Sequence, residues 1–122
     1  MREIKFRAWD KKANVMREVI ELNWTIGLVT RLCNGAVYDL PDIILMQYTG
    51  LHDKNGQEIY EGDIVRFFSR DESPEVMTLI WSQDNVRFMV LDNQNHDWSF
   101  DDSNVLEVIG NIYENPELLE AT

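Results

Sequence analysis

The sequence is poor in cysteine, which cross-links small exported domains, and in proline and glycine, which are common in linkers between domains. Its 122 residues include one cysteine, three prolines and six glycines. A lone Cys33 cannot form an internal disulfide, which favours a reducing compartment over a secreted scaffold. There is no repeat, no low-complexity segment and no linker long enough to divide the chain, so we expect one domain over residues 1–122.

Long apolar runs are also missing. The longest aliphatic run, Ile43 to Met46, is four residues long, whereas a membrane-spanning helix needs about 20. Residues 1–12 are charged and lack the apolar stretch of a signal peptide. We therefore expect a cytoplasmic protein that makes no membrane contact.

Basic residues are scarce. The chain has 11 Lys and Arg against 22 Asp and Glu, a net charge of −11. Residues 1–31 have seven basic and four acidic residues, a net charge of +3. Residues 32–122 have four basic and 18 acidic residues, a net charge of −14. Such a balance opposes binding to phosphate and to anionic lipid, so nucleic acid is disfavoured as a partner.

Hydrophobic residues are plentiful and their spacing predicts strands. They make up 44% of the chain, with 4 Trp, 4 Tyr and 5 Phe, which is enough for a core. Period-two alternation recurs, as in Arg2 to Trp9, where Ile4, Phe6 and Ala8 share one face. At the C-terminus, Asn115 and Pro116 are typical of a helix start. We predict a mainly β, single-domain, barrel-like fold, partly SH3-like, with a short C-terminal helix.

Turn residues divide these strands. Asn55-Gly56 is the preferred pair of a tight hairpin, and Glu61-Gly62-Asp63 predicts a second reversal. Ser82 to Asn85 should connect a further hairpin between Val76–Trp81 and Val86–Leu91.

Three segments resemble the YopX family of phage and prophage proteins. They are REIKFRAWDKK at residues 2–12, QYTGLHDKNGQEIYEGDIVRF at 47–67 and VIGNIYENPEL at 108–118. The segment EGDIV within the second also resembles pieces of SH3-like barrels. The family resemblance implies a compact, mostly β fold and an origin in a mobile element, hence the cytoplasm of a bacterial host cell. It implies no activity and supplies no catalytic residue.

Residues with catalytic or metal-binding chemistry are few and lack the spacing that such sites use. His52 and His96 each precede an aspartate, but no HExxH, CxxC or EF-hand pattern accompanies them. Cys33 has neither a neighbouring base nor a glycine elbow. We therefore predict no catalytic residue, no metal site, no cofactor and no small-molecule substrate. An active site assembled from dispersed residues is the one route to an enzyme that the sequence leaves open.

The aromatic residues suggest protein contact instead. Four tryptophans are many for this length, and Trp98 lies beside a polar loop, so we expect it to be exposed. We predict an interaction surface that includes Tyr48, Tyr60, Glu61, Asp63 and Trp98.

Three functions compete. The first is a non-catalytic accessory protein that binds another protein or its own copies. The second is an acidic decoy that mimics DNA phosphates and inhibits a host DNA-binding protein. It requires carboxylates in spaced rows on one face. The third is weak nucleic-acid binding through the basic N-terminal strand, where Lys5 and Arg7 project together.

Overall fold

In its described residues the fold consists of antiparallel strands, a 3₁₀ helix at Ser103–Val105 and a short C-terminal α-helix. A computed structural model of the chain describes residues 5–23, 29–32, 37–39, 43–68, 73–100 and 103–120. Cys33 and one of the four tryptophans, Trp24, lie outside these residues. The elements are β1 (Phe6–Asp10), β2 (Val15–Asn23), β3 (Val29–Leu32), β4 (Val37–Asp39), β5 (Ile43–His52), β6 (Glu58–Tyr60), β7 (Asp63–Phe67), β8 (Glu75–Ser82), β9 (Arg87–Leu91), β10 (Asp97–Trp98), β11 (Leu106–Asn111) and α1 (Glu117–Glu120).

Two sheets contain all these strands. One has six strands in the order β4-β3-β2-β1-β5-β6, and the other has five in the order β10-β9-β8-β7-β11. The predicted fold class is confirmed: the protein is mainly β, with two antiparallel sheets, one of them a half-barrel, and a short C-terminal helix. No described helix is long and apolar enough to cross a membrane.

The chain divides into two compact units, residues 1–48 and 49–122, and the division falls inside β5. In the first unit β1 lies between β2 and β5, with Arg7 opposite both Glu18 and Met46. Buried Ala8 and Ile43 form its small described core.

The turn after β1 is stabilised by a buried carboxylate. Asp10 is 1% exposed, and its Oδ1 accepts the N–H groups of Lys12 and Ala13 at 3.1 Å each. Its Oδ2 accepts Nε of Arg17 on β2 at 3.1 Å. This carboxylate stabilises the turn because it satisfies backbone donors that the reversal leaves without strand partners.

The second unit has the larger core. Seven buried side chains pack together in it: Ile59, Val65, Met77, Leu79, Val90, Phe100 and Leu106. Leu79 lies opposite Val90 across β8 and β9. Along β8 the buried Met77 and Leu79 are separated by the half-buried Thr78, as the period-two pattern predicts. Each fully buried aliphatic side chain of this kind contributes about 1.5 to 3 kcal/mol.

The connection of the β8–β9 hairpin is shifted by one residue from the prediction, so that Ser82 belongs to β8 and Val86 does not belong to β9. Ser82 pairs with Arg87, so the connection is 83–86 and Val86 is part of the turn rather than of β9. Val86 has φ of 51° and is 72% exposed. A β-branched residue seldom adopts this conformation, because its side chain crowds the backbone there.

Candidate interaction site

The central motif, residues 47–67, contains a hairpin held by one buried aspartate. Asp53 is 4% exposed, and its Oδ1 accepts the N–H groups of Asn55 at 2.8 Å and Gln57 at 2.9 Å. Gly56 has φ of 84°, the left-handed conformation that glycine adopts without strain. The predicted Asn55-Gly56 hairpin is confirmed.

This hairpin also covers the edge of the five-stranded sheet at β11. Oδ2 of Asp53 accepts the N–H of Val108 at 2.8 Å, and the N–H of Lys54 donates to the carbonyl of Leu106 at 3.0 Å. Edge strands expose backbone groups that invite pairing with other chains. Here the motif supplies partners for two such groups, so much of its sequence serves the fold.

The second reversal of the motif is held by Asp63, which is 1% exposed. Its Oδ2 accepts the N–H of Tyr60 at 2.8 Å, while Gly62, with φ of 83°, donates its N–H to the carbonyl of Leu79 at 2.9 Å. Tyr60 and Glu61 are half-buried beside it. The reversal predicted at Glu61-Gly62-Asp63 is confirmed.

The basic N-terminal strand has internal contacts of its own. Nζ of Lys5 lies 5.0 Å from the ring centre of Tyr48, and Tyr48 is 3% exposed. Arg7 is half-buried. Nucleic-acid binding by this strand stays a prediction, as does a role for Tyr48 in an interaction. Within the protein, Lys5 and Tyr48 already contact each other.

Trp98 is placed in solvent, as predicted. It is 51% exposed and lies on β10, the terminal strand of the five-stranded sheet, opposite Val90. Its indole N–H donates to Oδ2 of Asp92 at 2.9 Å. The ring is therefore exposed and oriented at the same time.

The loop that fixes Trp98 is built on Asp92. Oδ1 of this residue accepts the N–H groups of Gln94 at 2.9 Å and His96 at 3.0 Å. Asn95, with φ of 65°, closes the turn, and asparagine tolerates this left-handed conformation better than most residues. One carboxylate thus shapes the loop with one oxygen and orients the indole with the other.

The same hydrogen bonds keep Asp92 ionised. The indole N–H of Trp98 is the main cause that lowers the pKa of this carboxyl below its ordinary value, and the backbone N–H of His96 acts in the same direction. Burial opposes them more weakly. Asp92 therefore carries a full negative charge at neutral pH beside the exposed ring.

An open groove of about 470 Å³ lies next to this ring. Eight residues line it: Pro74, Glu75, Val76, Asp92, Asn93, Gln94, His96 and Trp98. Its size lies within the roughly 300–1,000 Å³ typical of ligand pockets. The groove thus combines an aromatic face, two carboxylates and several amide or imidazole groups.

The groove offers little to a catalytic mechanism. Nδ1 of His96 lies 3.8 Å from Oδ2 of Asp92, and the imidazole is 68% exposed. No serine, threonine, cysteine or lysine is present among the lining residues described above, so this pair has no adjacent nucleophile to activate. Within the described part of the chain, no cluster of three or more His, Cys, Asp or Glu side chains could hold a metal ion. His52, exposed at the end of β5, lies outside the groove lining.

Fold and groove together define a small all-β protein with a polar, tryptophan-bearing surface groove. The chain belongs to the YopX protein family, whose family model matches residues 5–120, and this confirms the resemblance found in the sequence. A comparison with curated proteins gives no match.

Two solved structures are similar over nearly the whole chain. The crystal structure of protein EF1440 from Enterococcus faecalis has 28% sequence identity and a TM-score of 0.69, and the match covers 98% of this chain and 99% of that one. The crystal structure of protein yopX from Bacillus subtilis has 23% identity and a TM-score of 0.61, with coverage of 94% and 97%. The second likeness supports the fold alone.

Asp92 is a groove residue that the sequence did not single out. Its local signal was an aspartate at the start of a polar loop, followed by an asparagine at the fourth position. That pattern predicts a turn, but the bond from an indole six residues further on depends on how β10 pairs with β9. Sequence spacing alone does not contain that information.

Proposed function

We propose that the protein is a phage-type accessory protein that works without catalysis, by binding another protein through the groove beside Trp98. The exposed and hydrogen-bonded indole of Trp98 carries this proposal. A tryptophan left in solvent loses the benefit of burial, whereas a partner that covers it gains a large contact area at little cost in side-chain entropy. The mobile-element role is what the YopX resemblance implies.

The orientation of the ring favours binding over a merely incidental exposure. An exposed side chain normally samples several rotamers and loses that freedom when a partner binds. The bond from Trp98 to Asp92 restricts the ring before any contact is made. Exposed aromatic side chains of this kind are enriched among the residues that dominate binding energies at interfaces.

A comparative capture experiment tests the proposal. The full chain, its Trp98→Ala variant and a Trp81→Phe control would be immobilised and exposed to the same bacterial lysate. Trp81 is a suitable control because it is 41% exposed but contacts Phe88 rather than the groove. We expect a protein that the wild type and the control retain and Trp98→Ala loses. Direct binding to that protein, once purified, should weaken by a factor of at least ten in Trp98→Ala. A tenfold change is about 1.4 kcal/mol, and truncation of a dominant interface residue costs about 2 kcal/mol or more.

Identical retention by all three proteins would contradict the proposal. Unchanged thermal unfolding of Trp98→Ala would establish that the loss of binding is not a loss of fold. Sedimentation of the protein alone, over a range of concentrations, would show whether the retained partner is a second copy of the chain. Turnover of any small molecule dependent on Asp92 or His96 would overturn the non-catalytic assignment.

A further inference from the structure

The groove beside Trp98 has the charge of a site for cations. Of its described lining residues, Glu75 and Asp92 are acidic and none is lysine or arginine. Residues 32–122 as a whole carry −14, so the surrounding field also attracts positive charge.

The ring itself favours a cation. The face of an indole is negative and its edge is positive, and a cation over the face is held within about 6 Å of the ring centre. In Trp98 the edge N–H donates to an ionised carboxylate at 2.9 Å. A hydrogen bond to an anion polarises the ring toward greater negative charge on its face, so the contact between Trp98 and Asp92 strengthens the attraction.

Comparable contacts already occur within the protein. Nζ of Lys54 lies 4.3 Å from the ring centre of Phe68, and Nζ of Lys5 lies 5.0 Å from that of Tyr48. Those rings are occupied by lysines of the same chain. Trp98 presents a larger and more electron-rich ring of the same kind to solvent.

We infer that the groove binds a lysine- or arginine-bearing segment of a partner protein, with a cationic side chain over the face of Trp98 and beside the carboxylates of Asp92 and Glu75. This inference rests on the proposed function and adds the chemistry of the partner. A groove of about 470 Å³ holds a few side chains, which suits a short peptide segment better than a single ion. Phosphate groups and nucleic acid are repelled by the same carboxylates.

Two matched decapeptides test the charge requirement. Both are glycine- and serine-rich and carry lysine at four positions, but in one peptide these lysines are Nε-acetylated, which keeps most of the shape and removes the charge. Binding to the full chain is followed by NMR through the indole N–H resonance of Trp98, assigned by its absence in Trp98→Phe. We expect the lysine peptide to shift this resonance and to bind at least threefold more tightly than the acetylated peptide.

Variants locate the site. Because Trp98→Ala lacks the reporting indole, the affinities of the variants are measured by isothermal titration calorimetry. Trp98→Ala should weaken binding of the lysine peptide by about 3- to 30-fold, the range for removing a cation–π contact. Glu75→Gln should weaken it less, and added salt should weaken it further, because exposed charges are screened. Asp84→Asn removes an equal charge from the turn at the opposite end of β8 and should leave the affinity unchanged.

Three other results of the peptide experiment would overturn the inference. Equal or tighter binding of the acetylated peptide would show that charge is irrelevant. No shift with either peptide at millimolar concentration, or a shift with a 20-base-pair DNA duplex instead, would show that the groove does not select cationic peptides. In these cases the proposed function would still stand if the lysate experiment identified a Trp98-dependent partner, and it would fall separately if that experiment found none.

Discussion

Removing the charge of Asp53 tests whether the hairpin of the central motif secures the edge of the five-stranded sheet. In Asp53→Asn the remaining carbonyl oxygen can still accept the N–H groups of Asn55 and Gln57. The new amide, however, presents a donor to the N–H of Val108, where Oδ2 of Asp53 accepted it at 2.8 Å. Val108 is half-buried, so an unpaired N–H there costs about 1 to 3 kcal/mol.

The alanine variant of Asp53 is expected to lose more stability than the asparagine variant. Asp53→Ala also loses the bonds at 2.8 and 2.9 Å to Asn55 and Gln57. Both of these residues are exposed, so water replaces the carboxylate there and each bond adds only about 0.5 to 1.5 kcal/mol. The expected total for Asp53→Ala is therefore about 2 to 6 kcal/mol.

Urea denaturation monitored by circular dichroism measures both losses, and hydrogen exchange reports the Val108 amide directly. We expect faster exchange at Val108 in both variants. The exposed turn variant Asp84→Asn should change stability by no more than about 0.5 kcal/mol. Equal stability of Asp53→Asn and the wild type, or unchanged protection of the Val108 amide, would refute the assignment of this bond as the anchor of the hairpin.

Two further substitutions test packing and pH dependence. In Gly110→Ala the added Cβ would lie 2.5 Å from Oδ1 of Asn115. We expect the free energy of unfolding, measured by urea denaturation, to fall by about 1 to 3 kcal/mol. The fall should be smaller in an Asn115→Gly background, and equal falls in the two backgrounds would contradict the clash. The pKa of Glu107 is lowered chiefly by the hydrogen bond from Arg66. The ionised Glu107 therefore stabilises the fold at pH values above its unfolded-state pKa of about 4.3. This stabilisation is lost as the pH falls through the folded-state pKa. Glu107→Gln should therefore show a smaller fall in Tm between about pH 5 and pH 3 than the wild type, and an unchanged fall would contradict this reasoning.

Local patterns predicted the strands and turns because the relevant forces act over a few residues. The pair Asn55-Gly56 marks its hairpin through the positive φ of glycine. The sequence predicts Val86 as the first residue of the strand Val86–Leu91. Its place in the turn follows from the pairing of Ser82 with Arg87, and register is set by the packing of the whole hairpin rather than by one residue.

Contacts between residues far apart in the chain could not be predicted from the sequence. Asp53 and Val108 are 55 positions apart, and no spacing rule connects a turn carboxylate with an edge strand at that distance. The exposure of Trp98 was predictable from its polar neighbours, and it is confirmed. Its bond to Asp92 was not, because that contact requires β10 to lie beside β9.

The acidic composition has to be interpreted in the light of these contacts. A mimic of DNA needs carboxylates that face solvent in spaced rows, yet Asp53 and Asp63 are buried and accept backbone N–H groups. Glu107 is engaged by Arg66 at 2.8 Å, and Asp92 orients Trp98. Carboxylates used in this way count toward the net charge of −11 without resembling a phosphate backbone. The decoy hypothesis therefore rests on fewer charges than the composition suggests, whereas a partner with a basic segment requires only the few carboxylates that surround the exposed ring.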